Sequence, residues 1–300
     1  MLLDDKKMTA STADDHLAAG YLECKAITEH YGTSYYFATQ FFPRELRNSI
    51  YAVYAFARIP DEIVDDPNKG HKEETLAKLN EWRERWLAAM AAGGSDDAVL
   101  NAIVDTFRRH NITVEDGEAF LRSMFMDEEV FAYDSYEHLE EYMYGSAGVI
   151  GIMVTKIVGY SSDEAFLYAI KLGYAFQLTN FLRDIKQDYD ELGRIYMPRD
   201  EMRRFGLTER DIATQNFDER FVEFMNFQIE RNRQIYREAL PGIPMLHWRG
   251  RMAVRIAYVL YKAILNEIER VNYNIYRGRV RTSFRRKLLL SVKALVGVYE

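Results

Sequence analysis

Apolar residues recur at helical spacing along most of the chain, and breakers are few. Only six prolines occur, and none lies between Pro67 and Pro198. A stretch of that length without breakers reads as successive helices, because strands would need frequent turn signals. "HKEETLAKLNEWRERWLAAMAAGG", from His71, alternates apolar and charged positions with the helical period and stops at Gly-Gly. "SYEHLEEYMYGSAGVIGIMVTKIVGY" and "DEAFLYAIKLGYAFQLTNFLRDIKQDYD" are long and mostly apolar, as central helices are. "LTERDIATQNFDERFVEFMNFQIERNRQIYREAL" predicts a short helix, a break and a longer amphipathic one. "WRGRMAVRIAYVLYKAILNEIERVNY" and "TSFRRKLLLSVKAL" complete the set. No repeat and no low-complexity segment is visible. The pattern predicts an all-α fold in one domain over residues 1–300, with residues 1–15 as a flexible extension.

The pattern breaks at "YAVYAFARIPDEIVDDP", Tyr51 to Pro67, where apolar residues run into Asp61, Glu62, Asp65 and Asp66. Asp61 and Asp65 are spaced i,i+4, so on a helix both carboxylates leave one face about 6 Å apart. At that distance two charges repel by roughly 0.7 kcal/mol in water and about 3 kcal/mol at an effective dielectric of 20. Pro67 is expected to end the helix, and a helix C-terminus disfavours negative charge. Something must compensate these acids.

A second polar stripe lies in "FQLTNFLRDIKQDYDELGRIYMP". Asn180, Asp184 and Asp188 recur every four residues, with Gln177 one turn before, while Leu178, Phe181, Leu182 and Ile185 lie elsewhere around the helix. Acids and amides on an apolar helix are costly unless something cationic lies against them. Arg183 and Lys186 could supply that as plain salt-bridge partners. Taken together, the two stripes suggest more. Carboxylate oxygens without Cys or His suit Mg²⁺, which shares its shell with water and phosphate oxygens. Two such faces across an apolar cavity would cage several Mg²⁺ ions and a diphosphate, whose departure leaves an allylic cation in a dry pocket. Arg58 and Arg183 stand where they could take diphosphate oxygens bidentately.

Composition narrows the classes. The chain is 48% hydrophobic and 28% charged with net charge −7, which argues against nucleic-acid binding through phosphate neutralisation. A single cysteine, Cys24, excludes an intramolecular disulfide and suits a reducing cytoplasm. The start, "MLLDDKKMTASTADDH", lacks a signal-peptide pattern, and no apolar run is long enough for a membrane span. The 21 Tyr and 17 Phe fit either a bulky core or a cavity whose ring faces stabilise a carbocation.

These segments resemble the squalene/phytoene synthase family of head-to-head prenyltransferases, from about Tyr31 to Lys287. "YAVYAFARIPDEIVDD" is similar to the family's first aspartate motif, and "QLTNFLRDIKQDYDELGRIYMPRDEM" to its second with the Arg-x-Tyr-x-Pro signature. "SYYFATQFFPRELRNSIYAVYAFAR", "YMYGSAGVIG" and "LYKAILNEIERVNYNIY" resemble three further family segments in the same order. The resemblance implies an isoprenoid-synthase-type helical bundle around a central cavity. It also implies 1-1′ condensation of two prenyl diphosphates through a cyclopropylcarbinyl diphosphate. By that match Asp61, Asp65, Asn180, Asp184 and Asp188 would bind Mg²⁺, with Mn²⁺ as a substitute, and the four aspartates with Arg58 and Arg183 would be catalytic. Ser34, Tyr35, Tyr54, Tyr142, Gln177, Asn180, Arg194, Tyr196 and Tyr261 would line the substrate site.

The glycines Gly145, Gly148 and Gly151 would each cost about 1 kcal/mol in a helix interior relative to Ala, so they serve close helix packing or make room for an isoprenoid chain. Against the family pattern, Glu62 replaces an aspartate, Pro60 could kink the helix, and one extra residue separates Asp188 from Arg194, which would displace the segment carrying Arg194 and Tyr196. Either Arg277 or Arg279 fits as a further site arginine. The overall pattern favours two geranylgeranyl diphosphates giving phytoene, with NADPH not expected and the released diphosphate as proton acceptor. Farnesyl-derived dehydrosqualene, presqualene diphosphate or squalene comes next, then a class I terpene cyclase or a non-enzymatic assembly factor. Chain length is expected to depend on bulk near Thr39 and Tyr51. Seven basic residues and no acid between Arg277 and Lys293 suggest either peripheral membrane contact or a solvated helix. The expected location is the cytoplasm; a monomer is compatible with the sequence, which does not set the oligomeric state.

Overall fold

The computed structural model describes residues 2–66 and 71–295, with side chains described from residue 14 and excluding 33 and 34. Helices account for nearly all of it: α1 (Leu2–Tyr31), α2 (Thr33–Thr39), α3 (Arg44–Asp65), α4 (Lys72–Ala92), α5 (Ala98–Arg109), α6 (Val114–Met126), α7 (Tyr136–Met143) and α8 (Val149–Val158) form the first half. The second half is α9 (Glu164–Leu192), α10 (Arg199–Arg204), α11 (Glu209–Ala213), α12 (Glu219–Ala239), α13 (Trp248–Arg270) and α14 (Phe284–Leu295). No named strand occurs among the described residues, only two isolated bridges. The all-α expectation holds.

Local chemistry sets several boundaries. Asp97 caps α5 through the Leu100 amide at 3.0 Å, and Thr113 with Asp116 forms a reciprocal box at the start of α6. α4 stops where expected, at Gly93. Pro60 does not break α3, which runs on to Asp65 with Asp66 as its cap. Pro67 lies outside the described residues, so the stop it was expected to impose is seen only as the end at Asp65. α1 begins at Leu2, inside the stretch expected to be an extension.

One expected helix is interrupted. Between α7 and α8 the chain widens into a π-turn over Tyr144–Gly148. There Gly145 packs so closely on α6 that a Cβ would sit 2.5 Å from the Ala119 carbonyl oxygen. Gly151 is as close to the Ala169 carbonyl of α9. Close packing therefore explains these glycines, although Gly151 also borders the cavity.

Two buried apolar clusters flank that cavity. One is built on α9, α12 and α13, around Tyr236, Phe224 and Ile256. The other joins α3 to α4, α5, α6 and α8, with Phe56 against Trp82, Trp86, Phe107 and Phe120. The acid-bearing ends of α3 and α9 lie between them.

Candidate active site

The cavity holds about 1,210 Å³, above the roughly 300–1,000 Å³ of ordinary ligand pockets. Its deep wall is apolar and its mouth is charged. Small or slender residues such as Ala147, Gly151, Ala169, Gly173 and Val254 line the apolar part, with Phe176 and Phe181 adding ring faces. Phe176 and Tyr261 stack at 4.4 Å. Thr39 borders the cavity, whereas Tyr51 is buried beside it and accepts a hydrogen bond from Gln40 Nε2 at 2.9 Å.

The mouth brings together every expected site residue whose side chain is described. Arg58, Asp61 and Asp65 reach it from α3; Gln177, Asn180, Arg183, Asp184 and Asp188 reach it from α9; Tyr35, Tyr54, Tyr142, Arg194, Tyr196 and Tyr261 surround them. Ser34 belongs to α2, but its side chain lies outside the described residues. The i,i+4 spacing does what it predicted on both helices, and the two faces interact. Burial first, then Asp184 and Asp65, pushes the Asp188 carboxyl well above its ordinary value. Burial and then Asp65 push Asp61 up to about 7. The exposed part of Asp61, 32% of its side chain, opens into the cavity.

Arginines offset part of this charge. Arg58 Nη1 donates to Asp61 and Nη2 to Glu62, and the guanidinium lies 4.7 Å from the Tyr31 ring centroid. Asp184 is gripped by two guanidiniums. Arg183 Nε donates to Oδ1 at 2.9 Å, and Arg279 donates from Nε and Nη2 at 3.0 and 2.9 Å. Although burial pushes the Asp184 carboxyl up, these two cations outweigh it and hold it below the usual range. Of the two candidate arginines, Arg279 lines the cavity and Arg277 does not.

The segment carrying Arg194 and Tyr196, where a displacement was expected, places both residues on the cavity lining. Gly193, at φ 66°, ends α9 in the left-handed region, and the Arg194 amide turns back to the Asp188 carbonyl at 3.1 Å. Arg194 is 3% exposed and donates to Asp65 Oδ1 at 2.7 Å. The Tyr196 ring lies flat on Phe181 at 4.1 Å.

Sequence reasoning missed Asp127 and Lys287. Asp127 is 2% exposed and accepts from Tyr142 and Tyr196; it sits in no acid-to-acid spacing, and its only signal was an acidic run at the end of an apolar helix. Lys287 lines the mouth beside Arg183, where burial and then that guanidinium lower its ammonium. By sequence it belongs to the basic tail.

The donor set can be weighed for a hard divalent cation. Among the described residues the cavity lining offers oxygen donors, chiefly carboxylate, amide and phenol oxygens and no His or Cys, and the carboxylates outnumber what Arg58 alone offsets on α3. Among the described residues no three His, Cys, Asp or Glu side chains converge as a ready chelate, because arginines hold Asp61, Asp65 and Asp184. The residues fit ions that arrive with an anion able to take those arginines.

The chain matches the family model for squalene/phytoene synthase over residues 28–286. It is 35% identical to a phytoene synthase of Arthrospira platensis over 282 residues, covering 90% of each chain. It is 34% identical to the 15-cis-phytoene synthase of Synechococcus elongatus, covering 91% of each. Its fold is similar to a dehydrosqualene synthase crystallised with ligand, at 25% identity and TM-score 0.86, covering 95% of this chain and 98% of that one. A squalene synthase of Alicyclobacillus acidocaldarius superposes with TM-score 0.78 at 26% identity, covering 86% and 96%. With two acid-bearing helices meeting at the mouth of an apolar cavity, and with these matches over nearly its whole length, the chain belongs to the squalene/phytoene synthase family of prenyltransferases.

Proposed function

We propose that the protein condenses two geranylgeranyl diphosphates head to head to give phytoene. The observation that carries this reading is the pairing of two facing acid helices with a cavity of about 1,210 Å³, larger than one drug-sized ligand needs. Small residues in its depth leave room for two long prenyl chains.

Asp61 and Asp65 on α3, with Asn180, Asp184 and Asp188 on α9, would hold Mg²⁺, or Mn²⁺ in its place. When bound, the ions neutralise the diphosphate and draw electron density from its bridging oxygen. The protein's own groups do the rest. Arg58, Arg183 and Arg279 would take diphosphate oxygens bidentately. Lys287 adds a point charge at the same mouth. The donor's C1–O bond breaks, and the acceptor's 2,3-double bond attacks C1 with loss of a proton, closing the cyclopropane. In the second half the cyclopropylcarbinyl C–O bond breaks, the skeleton rearranges to the 1-1′ link, and a second proton leaves. Two diphosphates and two protons balance the products, so no reductant is needed. The released diphosphate is the nearest strong base. Phe176, Phe181 and Tyr261 keep water out and offer ring faces to the cation.

A product assay tests this. With Mg²⁺, radiolabelled geranylgeranyl diphosphate gives a C40 hydrocarbon without NADPH, and farnesyl diphosphate turns over at least about tenfold less efficiently, the discrimination expected of an apolar pocket. A C30 product as the main outcome moves the assignment to the farnesyl branch, cyclic products move it to a terpene cyclase, and no product from either removes the enzyme reading.

We also propose that α14 contacts an anionic membrane surface from the cytoplasmic side. Among the described residues no helix is long and apolar enough to cross a membrane. On α14, Phe284, Leu288, Leu289, Val292 and Leu295 are exposed beside Arg285 and Lys293. Arg286 bridges Glu267 at 2.6 Å and Lys287 lines the cavity, so neither is a clean probe. Replacing Arg285 and Lys293 by Gln lowers partition into anionic vesicles roughly tenfold or more at low salt. Unchanged co-sedimentation leaves α14 a solvated helix.

A further inference from the structure

Behind the acid faces lies a buried polar cluster centred on Asp127, which follows α6. Its Oδ2 accepts the Tyr142 hydroxyl of α7 at 3.0 Å, and its Oδ1 accepts the Tyr196 hydroxyl at 3.1 Å. Arg194 Nη1 lies 3.6 Å from the same carboxylate and donates to Asp65 of α3. Arg194 Nη2 donates to the Val64 carbonyl at 3.3 Å and approaches Glu128 at 3.9 Å. One carboxylate thus ties the end of α6, α7 and the turn after α9 to the first acid helix.

Stability alone does not account for it. A buried ionic group can often be replaced by apolar residues at no net cost. What a carboxylate adds here is direction. Both phenol hydroxyls donate to Asp127, one to each carboxyl oxygen, so both phenol hydrogens are committed to it. Arg194 Nη1 also donates to the Tyr196 oxygen, at 3.4 Å. Both tyrosines line the cavity, and the Tyr142 oxygen can offer a guest only its lone pairs.

We propose that Asp127 is a positioning residue that holds Tyr142 and Tyr196 with their oxygens as acceptors toward the cavity and keeps Arg194 seated on Asp65. The consequence for turnover rests on the proposed condensation. Lone pairs facing inward favour a nearby allylic cation, whereas an inward hydroxyl hydrogen would oppose it.

The substitution Asp127→Asn separates direction from shape. The amide has one acceptor oxygen and a donor nitrogen, so it accepts from one phenol and must turn the other's hydrogen elsewhere. The expected result is a kcat lower by about 10- to 100-fold, the range for one misdirected polar interaction, with KM within about threefold. The share of cyclopropylcarbinyl diphosphate released unconverted rises. Tyr142→Phe lowers kcat in the wild-type background but changes it less than about twofold beside Asp127→Asn; equal factors in both backgrounds overturn the proposal. If Asp127→Asn does not fold, Tyr142→Phe and Tyr196→Phe carry the test, and a double variant matching the product of the singles overturns it. A crystal structure of Asp127→Asn, or of the phenylalanine pair, needs no turnover. Arg194 is expected to leave Asp65, and unchanged positions of Arg194 and the tyrosine rings overturn the positioning role even if the wild-type protein makes no coupled product, the result that would remove only the condensation reading.

Discussion

Asp61→Asn and Asp184→Asn each lower turnover by about 10²–10³-fold, the loss typical when one element of charge stabilisation is removed, yet they move stability in opposite directions. Asp61 faces Asp65 and Asp127 and shares Arg58 with Glu62. Burial and the neighbouring carboxylate raise its folded pKa to about 7, so its ionised form costs stability. That cost is absent below the unfolded carboxylate pKa, grows as pH rises, and is complete above about 7. At pH 8 the amide removes it, and the melting temperature stays level or rises. Asp184 is the reverse case. Arg183 and Arg279 hold its carboxyl below the usual range, so its contribution is complete above the unfolded value and fades as pH falls through the folded one. An amide leaves two guanidiniums short of acceptors at a cost of about 1–3 kcal/mol, or roughly 2–8 °C for a chain near this size. Calorimetry beside a fixed-time assay checks both. Parallel losses of stability would show that the two acid faces are not electrostatically distinct.

Chelation of divalent cations abolishes turnover, and Mg²⁺ with inorganic diphosphate raises the melting temperature of the resting protein more than the sum of either alone. The reason is the double occupancy of the mouth. Diphosphate alone meets Asp61, Asp65, Asp184 and Asp188. Mg²⁺ alone meets Asp184 held by Arg183 and Arg279, and Asp65 held by Arg194. Each ligand frees what the other needs, so binding is positively coupled. At about 100 times the dissociation constant the pair adds about 2.7 kcal/mol, a shift of several degrees. Additive shifts in a melting series over both concentrations would separate the two sites and remove the cage.

Most of the fold was legible because helix faces are written at short range. The i,i+4 rows at Asp61/Asp65 and Asn180/Asp184/Asp188 need only the helical period to share a face, and all line the cavity. Gly93 and the Thr113–Asp116 pair set boundaries through contacts within one turn. The long stretch from Tyr136 to Val158 was expected to be one helix, and its π-turn was not visible in it. The turn goes with a backbone approach between Gly145 and Ala119, a contact with another helix.

The site divides along the same line. Composition and spacing by themselves determined an all-α chain with two acid stripes, an aromatic-rich interior and arginines beside the acids. Only the tertiary structure decided that Arg279 rather than Arg277 grips Asp184, that the turn at Gly193 brings Arg194 onto Asp65, and that Lys287 belongs to the mouth. It also decided that Asp127, far from either motif along the chain, is the carboxylate on which Tyr142 and Tyr196 converge. Periodicity fixes which residues share a face over a few turns, because backbone geometry repeats. Which faces then meet depends on how whole helices pack and on which buried charges must find partners, and no local pattern encodes that.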